Sequence, residues 1–236
     1  MQQQTVDAAQ ERSRLIDHFK RAYQIIVGLA ITLACTKLFP NDDPRVPWDT
    51  SFWLFCAFFI TVVPIFHGGD RSLDVKYLQA PAVGFWGRAA YIWHVYMLLI
   101  TAILFVKIAQ AIPGPAVLGG SSQPATPVLF HKWMAIMLVV DVGILIFDGL
   151  KNRLLQTRAG AELGAYVKWV VLNLGLAIIC LIAMSHPEYP PYLSANTIST
   201  IVFAFAFLRT VLDYVFGKVS LVSLRFGNLG LHQRCG

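Results

Sequence analysis

Charged residues are scarce in this chain of 236 residues. Only 14% of the residues are Asp, Glu, Lys or Arg, whereas 56% are hydrophobic. A soluble domain carries about 25% charged residues. Apolar runs of about 17–25 residues, long enough to cross a bilayer, recur along the whole chain. The shortage of charge therefore argues against a soluble protein and predicts an all-α integral membrane protein without a sizeable soluble domain.

Several chemistry-bearing motifs are also lacking. The four cysteines form no Cys-x-x-Cys pair, so neither a disulfide framework nor a zinc site is predicted. The chain has no Walker-type phosphate loop and no GxSxG or HExxH motif, which removes the usual residues of nucleotide-binding loops and of intramembrane serine or zinc proteases. It also has no TVGYG filter and no arginine ladder, which argues against potassium selectivity and voltage gating.

Six hydrophobic segments are predicted to span the membrane as helices, at residues 22–38, 51–67, 89–109, 129–149, 166–184 and 198–217. Residues 1–21 form a polar leader with one apolar face, 22–217 the six-helix transmembrane domain, and 218–236 a basic tail. Similar endings of the second, fourth and sixth spans (IFHGG, IFDG and VFGK) suggest three related helical hairpins, although glycine is also a common helix terminator.

The basic residues are distributed unevenly between the two ends of these spans. Most of the 19 lysines and arginines fall in the leader, in the second and fourth connections and in the tail. Because basic residues are retained on the cytoplasmic side of a membrane, both termini are predicted to lie in the cytoplasm. The expected location is the bacterial cytoplasmic (inner) membrane, as a multi-pass protein surrounded by lipid.

Two charged residues interrupt the apolar sequence deep inside predicted spans. Counted along the helices from their outer ends, Asp141 of the fourth span and Arg209 of the sixth lie at nearly the same depth, close to the membrane midplane. A single charge at that depth costs roughly 2.5–3.5 kcal/mol even on lenient insertion scales. We therefore predict that Asp141 and Arg209 pair, within a protomer or across a subunit interface.

Four further ionisable residues are predicted nearer the cytoplasm: Asp213, Asp148, His67 and His94. Asp213 lies one helical turn beyond Arg209, so the two face the same side of their helix. Together with the midplane pair, the four are predicted to form one polar column that reaches the cytoplasmic face. Such a column either holds the helices in register or lines a path for water and ions, and both interpretations stay open.

The second span carries helix-disrupting residues near its cytoplasmic end. Pro64 is predicted to kink the helix, and Gly68 and Gly69 are predicted to end it in a flexible turn. A proline followed by two glycines provides the bend that a gate or hinge requires.

The histidines and acidic residues do not form a pattern typical of an enzyme. His67, Asp70 and Asp74 have side chains that bind metals or relay protons, but a hydrogen-bonded helix cap is the commoner role for such a group. A membrane haem needs histidines on facing helices at matching depth, and only His67 and His94 match, so a single-haem cytochrome is a minor alternative. We predict no catalytic residue, no metal and no other cofactor.

The cytoplasmic connections carry basic residues that are candidates for binding an anion: Arg71, Lys76, Arg88, Lys151, Arg153 and Arg158. They either reflect the topology rule and attraction to anionic lipids or bind a cytoplasmic nucleotide or oligonucleotide. In its topology and basic inner face the chain is similar to the small multi-pass effectors encoded in bacterial antiviral operons. This resemblance implies a membrane permeability that responds to a nucleotide or nucleic-acid signal.

The sequence as a whole predicts an oligomeric ion channel or pore that is gated from the cytoplasmic side. A homo-oligomer is expected because six helices leave little room for a wide path inside one protomer. The alternatives are a small-solute or proton-coupled transporter and a structural or assembly subunit that transports nothing.

Overall fold

The computed structural model describes residues 2–39, 48–74, 77, 85–114, 127–154, 161–185 and 194–229, with the side chains of 10–11, 13–39, 48–71, 73–74, 77, 89–114, 127–150, 167–185 and 194–215. This part of the chain is all-helical and contains no strand. Its helices are α1 (Gln2–Leu38), α2 (Thr50–Leu73), α3 (Phe85–Gln110), α4 (Pro127–Leu154), α5 (Ala161–Ser185) and α6 (Ala195–Leu229). Each of the six contains a segment long and apolar enough to cross a membrane, which confirms the predicted fold class.

Short polar side chains fix the starts of two helices. Asp49 accepts hydrogen bonds from the backbone N–H groups of Ser51 and Phe52, at 2.9 and 3.2 Å. The hydroxyl of Ser194 accepts one from the N–H of Thr197 at 3.2 Å. Because the first N–H groups of a helix have no partner within it, these caps favour α2 and α6 starting where they do.

Contacts among the described helices arrange them in a closed ring. In the order α1, α3, α4, α5, α6 and α2, each helix packs against the next, and α2 packs against α1, which closes the ring. Helix α2 also touches α3. In this ring α4, α5 and α6 are consecutive, and α6 lies beside α2.

Most of the apolar core lies in one half of the ring. We call the end at which α2, α4 and α6 begin the outer end, as the charge distribution predicts, and the opposite end the inner end. Large side chains of the outer half are fully buried against one another, among them Phe58, Phe105, Ile108, Met134 and Leu138. A smaller cluster of Ile16, Leu73, Tyr77 and Val95 closes part of the inner end.

The polar leader belongs to the first helix. Helix α1 is continuous from Gln2 to Leu38, and Ile16 in the leader is fully buried against the inner ends of α2 and α3. The apolar face that the sequence indicated for the leader therefore packs, at Ile16, against the bundle itself.

The prediction that Gly68 and Gly69 end the second helix is wrong. Helix α2 continues through both glycines and ends at Leu73. Two helical glycines cost about 1 kcal/mol each relative to alanine, and tertiary contacts offset this cost. Beyond the glycines, Leu73 is buried in the inner cluster, and Asp70 forms an ion pair with Lys20 of α1.

The two glycines also differ in their surroundings. A β-carbon placed at Gly69 would lie 2.7 Å from Cδ2 of Leu98 on α3, whereas one at Gly68 would meet nothing within 4 Å. Gly69 thus leaves room for the end of the Leu98 side chain of α3, and Gly68 has no such role.

Replacing each glycine by alanine tests this difference. Both substitutions bring the same gain in helix propensity, so the comparison isolates the contact with Leu98. We expect Gly69→Ala to be less stable than Gly68→Ala by about 1 kcal/mol, because the end of the Leu98 side chain must shift, measured by thermal unfolding in detergent. Leu98→Ala in the Gly69→Ala background should remove most of that difference, and equal stability of the two single variants would contradict the role of Gly69 in accommodating Leu98.

Candidate functional site

Three polar side chains of neighbouring helices form a hydrogen-bonded chain near mid-depth. The amide nitrogen Nδ2 of Asn173 (α5) donates to Oδ2 of Asp141 (α4), and Nε of Arg209 (α6) donates to Oδ1 of Asn173, each at 2.5 Å. Asn173 is fully buried and Arg209 is 2% exposed. We call these three residues the polar triad.

The structure brings the predicted partners to the same level but places Asn173 between them. Asp141 and Arg209 act on each other electrostatically, while both hydrogen bonds described above go to the amide. Sequence reasoning missed Asn173 because it searched for charge. The available signal was an amide in the otherwise apolar run VVLNLGLAIICLIAM of α5, since amides in membrane helices commonly bond to neighbouring helices.

Arg209 has further neighbours that suit a cation. Its guanidinium carbon lies 5.6 Å from the centre of the Trp169 ring, within the range of a cation–π interaction. The carboxylate of Asp213, one turn further along α6, also acts on it electrostatically. A buried arginine is tolerable in hydrocarbon only when it is paired, and α4, α5 and α6 together supply the partners.

The next residue of α6 repairs a defect in α2. Pro64 has no N–H group and cannot make the helical hydrogen bond to the carbonyl of Ile60. The hydroxyl of Thr210 donates to that carbonyl instead, at 3.0 Å. Two successive residues of α6 therefore make both contacts. Arg209 belongs to the polar triad, and Thr210 binds α2 at the predicted hinge.

An apolar groove lies beside this contact, on the α2–α6 seam. Its volume is about 310 Å³, and its walls include Phe59, Pro64, Phe203, Thr210 and Tyr214.

A second charged group joins α1 to the inner end of α2. The ammonium group of Lys20 lies 2.7 Å from Oδ2 of Asp74 and 3.2 Å from Oδ1 of Asp70. Sequence reasoning considered the two acids as metal or proton-relay candidates and missed Lys20. The signal was their spacing of four residues, which puts both carboxylates on one face of α2.

Tyr23 of α1 is buried against α2, next to Phe66 and Gly69. Its ring is 2% exposed and stacks on Phe66, with 5.4 Å between ring centres. Its hydroxyl is 3.6 Å from the β-carbon position of Gly69 and has no hydrogen-bond partner within the described part of the chain. The carboxylates of Asp141 and Asp70 both act on this hydroxyl electrostatically.

The remaining residues of the predicted column lie in different surroundings. His67 is exposed on α2, and its ring contacts that of its neighbour Phe66. His94 is buried, with its ring edge-on to Tyr77 at 5.8 Å. Burial, followed by the nearby charge of Asp148, raises the pKa of Tyr77 to about 12. The four residues predicted nearer the cytoplasm thus have different neighbours: Asp213 lies near Arg209, His94 and Asp148 lie near Tyr77, and His67 lies beside Phe66.

Among the basic residues predicted to bind an anion, only Arg71 has a described side chain, and it is exposed at the inner end of α2. The other predictions fall on side chains outside the described part: Lys76, Arg88, Lys151, Arg153 and Arg158. Within the described residues, no three His, Cys, Asp or Glu side chains form a group that could hold a metal ion.

No protein-family model, curated protein or solved structure matches the chain. A functional interpretation therefore rests on the arrangement of its residues.

Chemically, the site is a set of ionisable and hydrogen-bonding groups that lies against an apolar core. The triad links a carboxylate to a guanidinium through an amide that donates to one and accepts from the other. Such a set fixes the relative heights of three helices and provides charge at a depth where lipid provides none.

The contact between Thr210 and Ile60 makes a prediction about α2. In Thr210→Val the carbonyl of Ile60 loses its donor, which should cost about 1–3 kcal/mol of unfolding free energy. Pro64→Ala restores a backbone N–H for that carbonyl, so Thr210→Val should cost clearly less in a Pro64→Ala background. Thr61→Val is the matched control, because the Thr61 hydroxyl donates within its own helix, to Ala57. Strictly additive losses in the cycle would contradict the repair.

The triad makes a second prediction. Asn173→Leu keeps a similar volume but leaves a buried carboxylate and a buried guanidinium without their bridging amide, so we expect a loss of about 3 kcal/mol or more in unfolding free energy. Asn196→Leu, at an exposed position of α6, is the control and should be nearly neutral.

A charge exchange tests the same triad. Asp141→Arg with Arg209→Asp should recover part of the loss seen with Asp141→Asn or Arg209→Gln alone, because rotating the Asn173 amide exchanges its donor and acceptor. If the single losses simply add, the two charges are not coupled.

Proposed function

We propose that the protein is an ion channel of the bacterial inner membrane that works as a homo-oligomer and opens from its cytoplasmic end. The observation that carries the proposal is the polar triad. Ionisable groups at mid-depth in a membrane protein are expensive to keep and are, by default, candidates for an ion pathway. An ion that crosses a bilayer is least stable near the midplane, and the triad provides charged and polar groups at that depth.

The packing of the outer half supports a closed conformation. Phe58, Phe105 and Met134 are among the side chains that fill the ring on the outer side of the triad. Apolar constrictions of this kind block ions because water does not wet them. Opening then requires either that the ring expands or that the path runs between protomers, and both fit an assembly of several copies.

The contact between α2 and α6 provides a route for gating. Arg71 lies exposed at the inner end of α2, seven residues beyond Pro64 on the same helix. An anionic ligand bound there, such as a nucleotide or oligonucleotide, would shift the inner end of α2. Through Pro64, Ile60 and Thr210 that shift would reach the turn of α6 that carries Arg209. This route suits an effector of an antiviral system that responds to such a signal.

A small-solute or proton-coupled transporter is the second candidate. The observation in its favour is the asymmetry of the ring, which is apolar and packed in its outer half and contains most of the charged contacts in its inner half. A transporter open toward the cytoplasm would have this distribution of polarity.

Recordings from purified protein in planar bilayers distinguish these functions. We expect single-channel current steps and a lower unitary conductance in Asp141→Asn. In Pro64→Ala we expect an altered open probability, because α2 regains the helical hydrogen bond that the proline removes. Gly68→Ala is the control, since a methyl group there meets no neighbour, and it should leave the currents unchanged. Saturable solute uptake without current steps would indicate the transporter, and the lack of both would leave a structural subunit.

A further inference from the structure

The groove between α2 and α6 is almost entirely apolar. Its described wall residues fall within 55–64 of α2 and 203–214 of α6, inside the membrane-spanning segments of both helices. None of them is charged, and the hydroxyl of Thr210 is already bonded to the carbonyl of Ile60. The groove therefore suits an apolar occupant.

This groove opens toward the surrounding lipid. Phe59 and Tyr214, which belong to its wall, are exposed at the surface of the bundle. An apolar space of this kind stays dry, and wall atoms without a neighbour lose their dispersion contacts. The medium at this depth is hydrocarbon, because the core of a bilayer contains no water. Lipid acyl chains are therefore the nearest source of an occupant.

The groove has the length of one acyl chain. Phe203 and Tyr214 lie eleven residues apart on α6, which corresponds to about 16 Å along a helix. One leaflet contributes half of a hydrocarbon core that is about 30 Å thick, or about 15 Å. Tyr214 lies at the inner end of its membrane-spanning segment, so a chain that enters beside Tyr214 ends near Phe203.

Two polar side chains continue the groove face of α2 toward the inner end. Cys56, Ile60 and Val63 line the groove at intervals of four and three residues, and His67 and Arg71 extend this series at intervals of four. Both are exposed, and Arg71 makes no ion pair with another described residue. A guanidinium binds a phosphate through two parallel hydrogen bonds. The face that lines the groove therefore leads to a side chain that suits the phosphate of a phospholipid.

We propose that the groove binds one acyl chain of a phospholipid from the leaflet at the inner end, with the phosphate of that lipid on Arg71. The nearby carboxylates of Asp70 and Asp74 are paired with Lys20, so the phosphate displaces no existing partner of Arg71. The site does not depend on the channel function. Because a soluble anionic signal is proposed to act at the same guanidinium, the lipid phosphate and that signal would compete for it.

Binding is tested on the purified full-length protein in detergent, with a phospholipid whose acyl chain carries a photoreactive diazirine. The lipid is added as a small and increasing fraction of the micelle, and labelled peptides are identified by mass spectrometry after irradiation. We expect labelling of residues 55–64 and 203–214 that saturates at a low lipid fraction. Val171 and Ile178 on the exposed face of α5 report unspecific contact, and their labelling should rise in proportion to the lipid.

Two substitutions test the two halves of the site. Val63→Trp places a large ring in the groove and should leave only the proportional labelling, whereas Ile178→Trp on α5 is the matched control and should change nothing. Arg71→Gln should raise the half-saturating fraction of the phospholipid about fivefold, but not that of a diazirine fatty alcohol, which has no phosphate. Because Arg71 is exposed, this variant tests the site even where Val63→Trp does not fold.

Three results would overturn the proposal. Proportional labelling of the groove, equal to that of α5, would mean that only bulk lipid touches it. An unchanged phospholipid affinity in Arg71→Gln would remove the phosphate from Arg71. A groove that takes up no label, and whose Cys56 crosslinks to Cys56 of a second copy, would belong to a subunit interface. None of these results depends on whether the protein conducts ions, so the lipid site and the channel stand or fail separately.

Discussion

The charge of Arg209 at mid-depth is the constraint on which the rest of the structure depends. A guanidinium in hydrocarbon must find partners inside the protein, and it finds them through Asn173, Asp141 and the ring of Trp169. These partners lie on α4 and α5, so a shift of either helix along its axis would break a buried hydrogen bond. The constraint therefore sets the relative heights of α4, α5 and α6, which are consecutive in the ring.

Helix α6 carries this constraint to the other side of the ring. Thr210 follows Arg209 directly and supplies the hydrogen bond that Pro64 removes from α2. Helix α2 in turn is tied to α1 by Lys20 at its inner end. Charge burial, a proline defect and an ion pair thus form one connected series of contacts, so a change at the inner end of α2 has a physical route to the triad.

The sequence predicts the helices and the depth of Asp141 and Arg209 because both depend on one-dimensional quantities, hydropathy and residue spacing. It does not predict Asn173, Thr210 or Tyr23 as site residues, because an uncharged polar side chain gains its role only from a neighbouring helix. The error at Gly68 and Gly69 has the same origin. Local propensity favours a helix end there, and the burial of Leu73 together with the ion pair of Asp70 outweighs it.

The distribution of polarity also decides which end of the bundle water can enter first. The inner half offers carboxylates, an ammonium group and a hydroxyl with which entering water can form hydrogen bonds, whereas the side chains of Phe58 and Phe105 in the outer half offer none. Water entering from the inner end would therefore reach Tyr23 and Asp141 and stop at the level of Phe58 and Phe105. On the proposed function, the channel opens when that apolar layer becomes wet. The charged groups on its inner side then determine the ion selectivity.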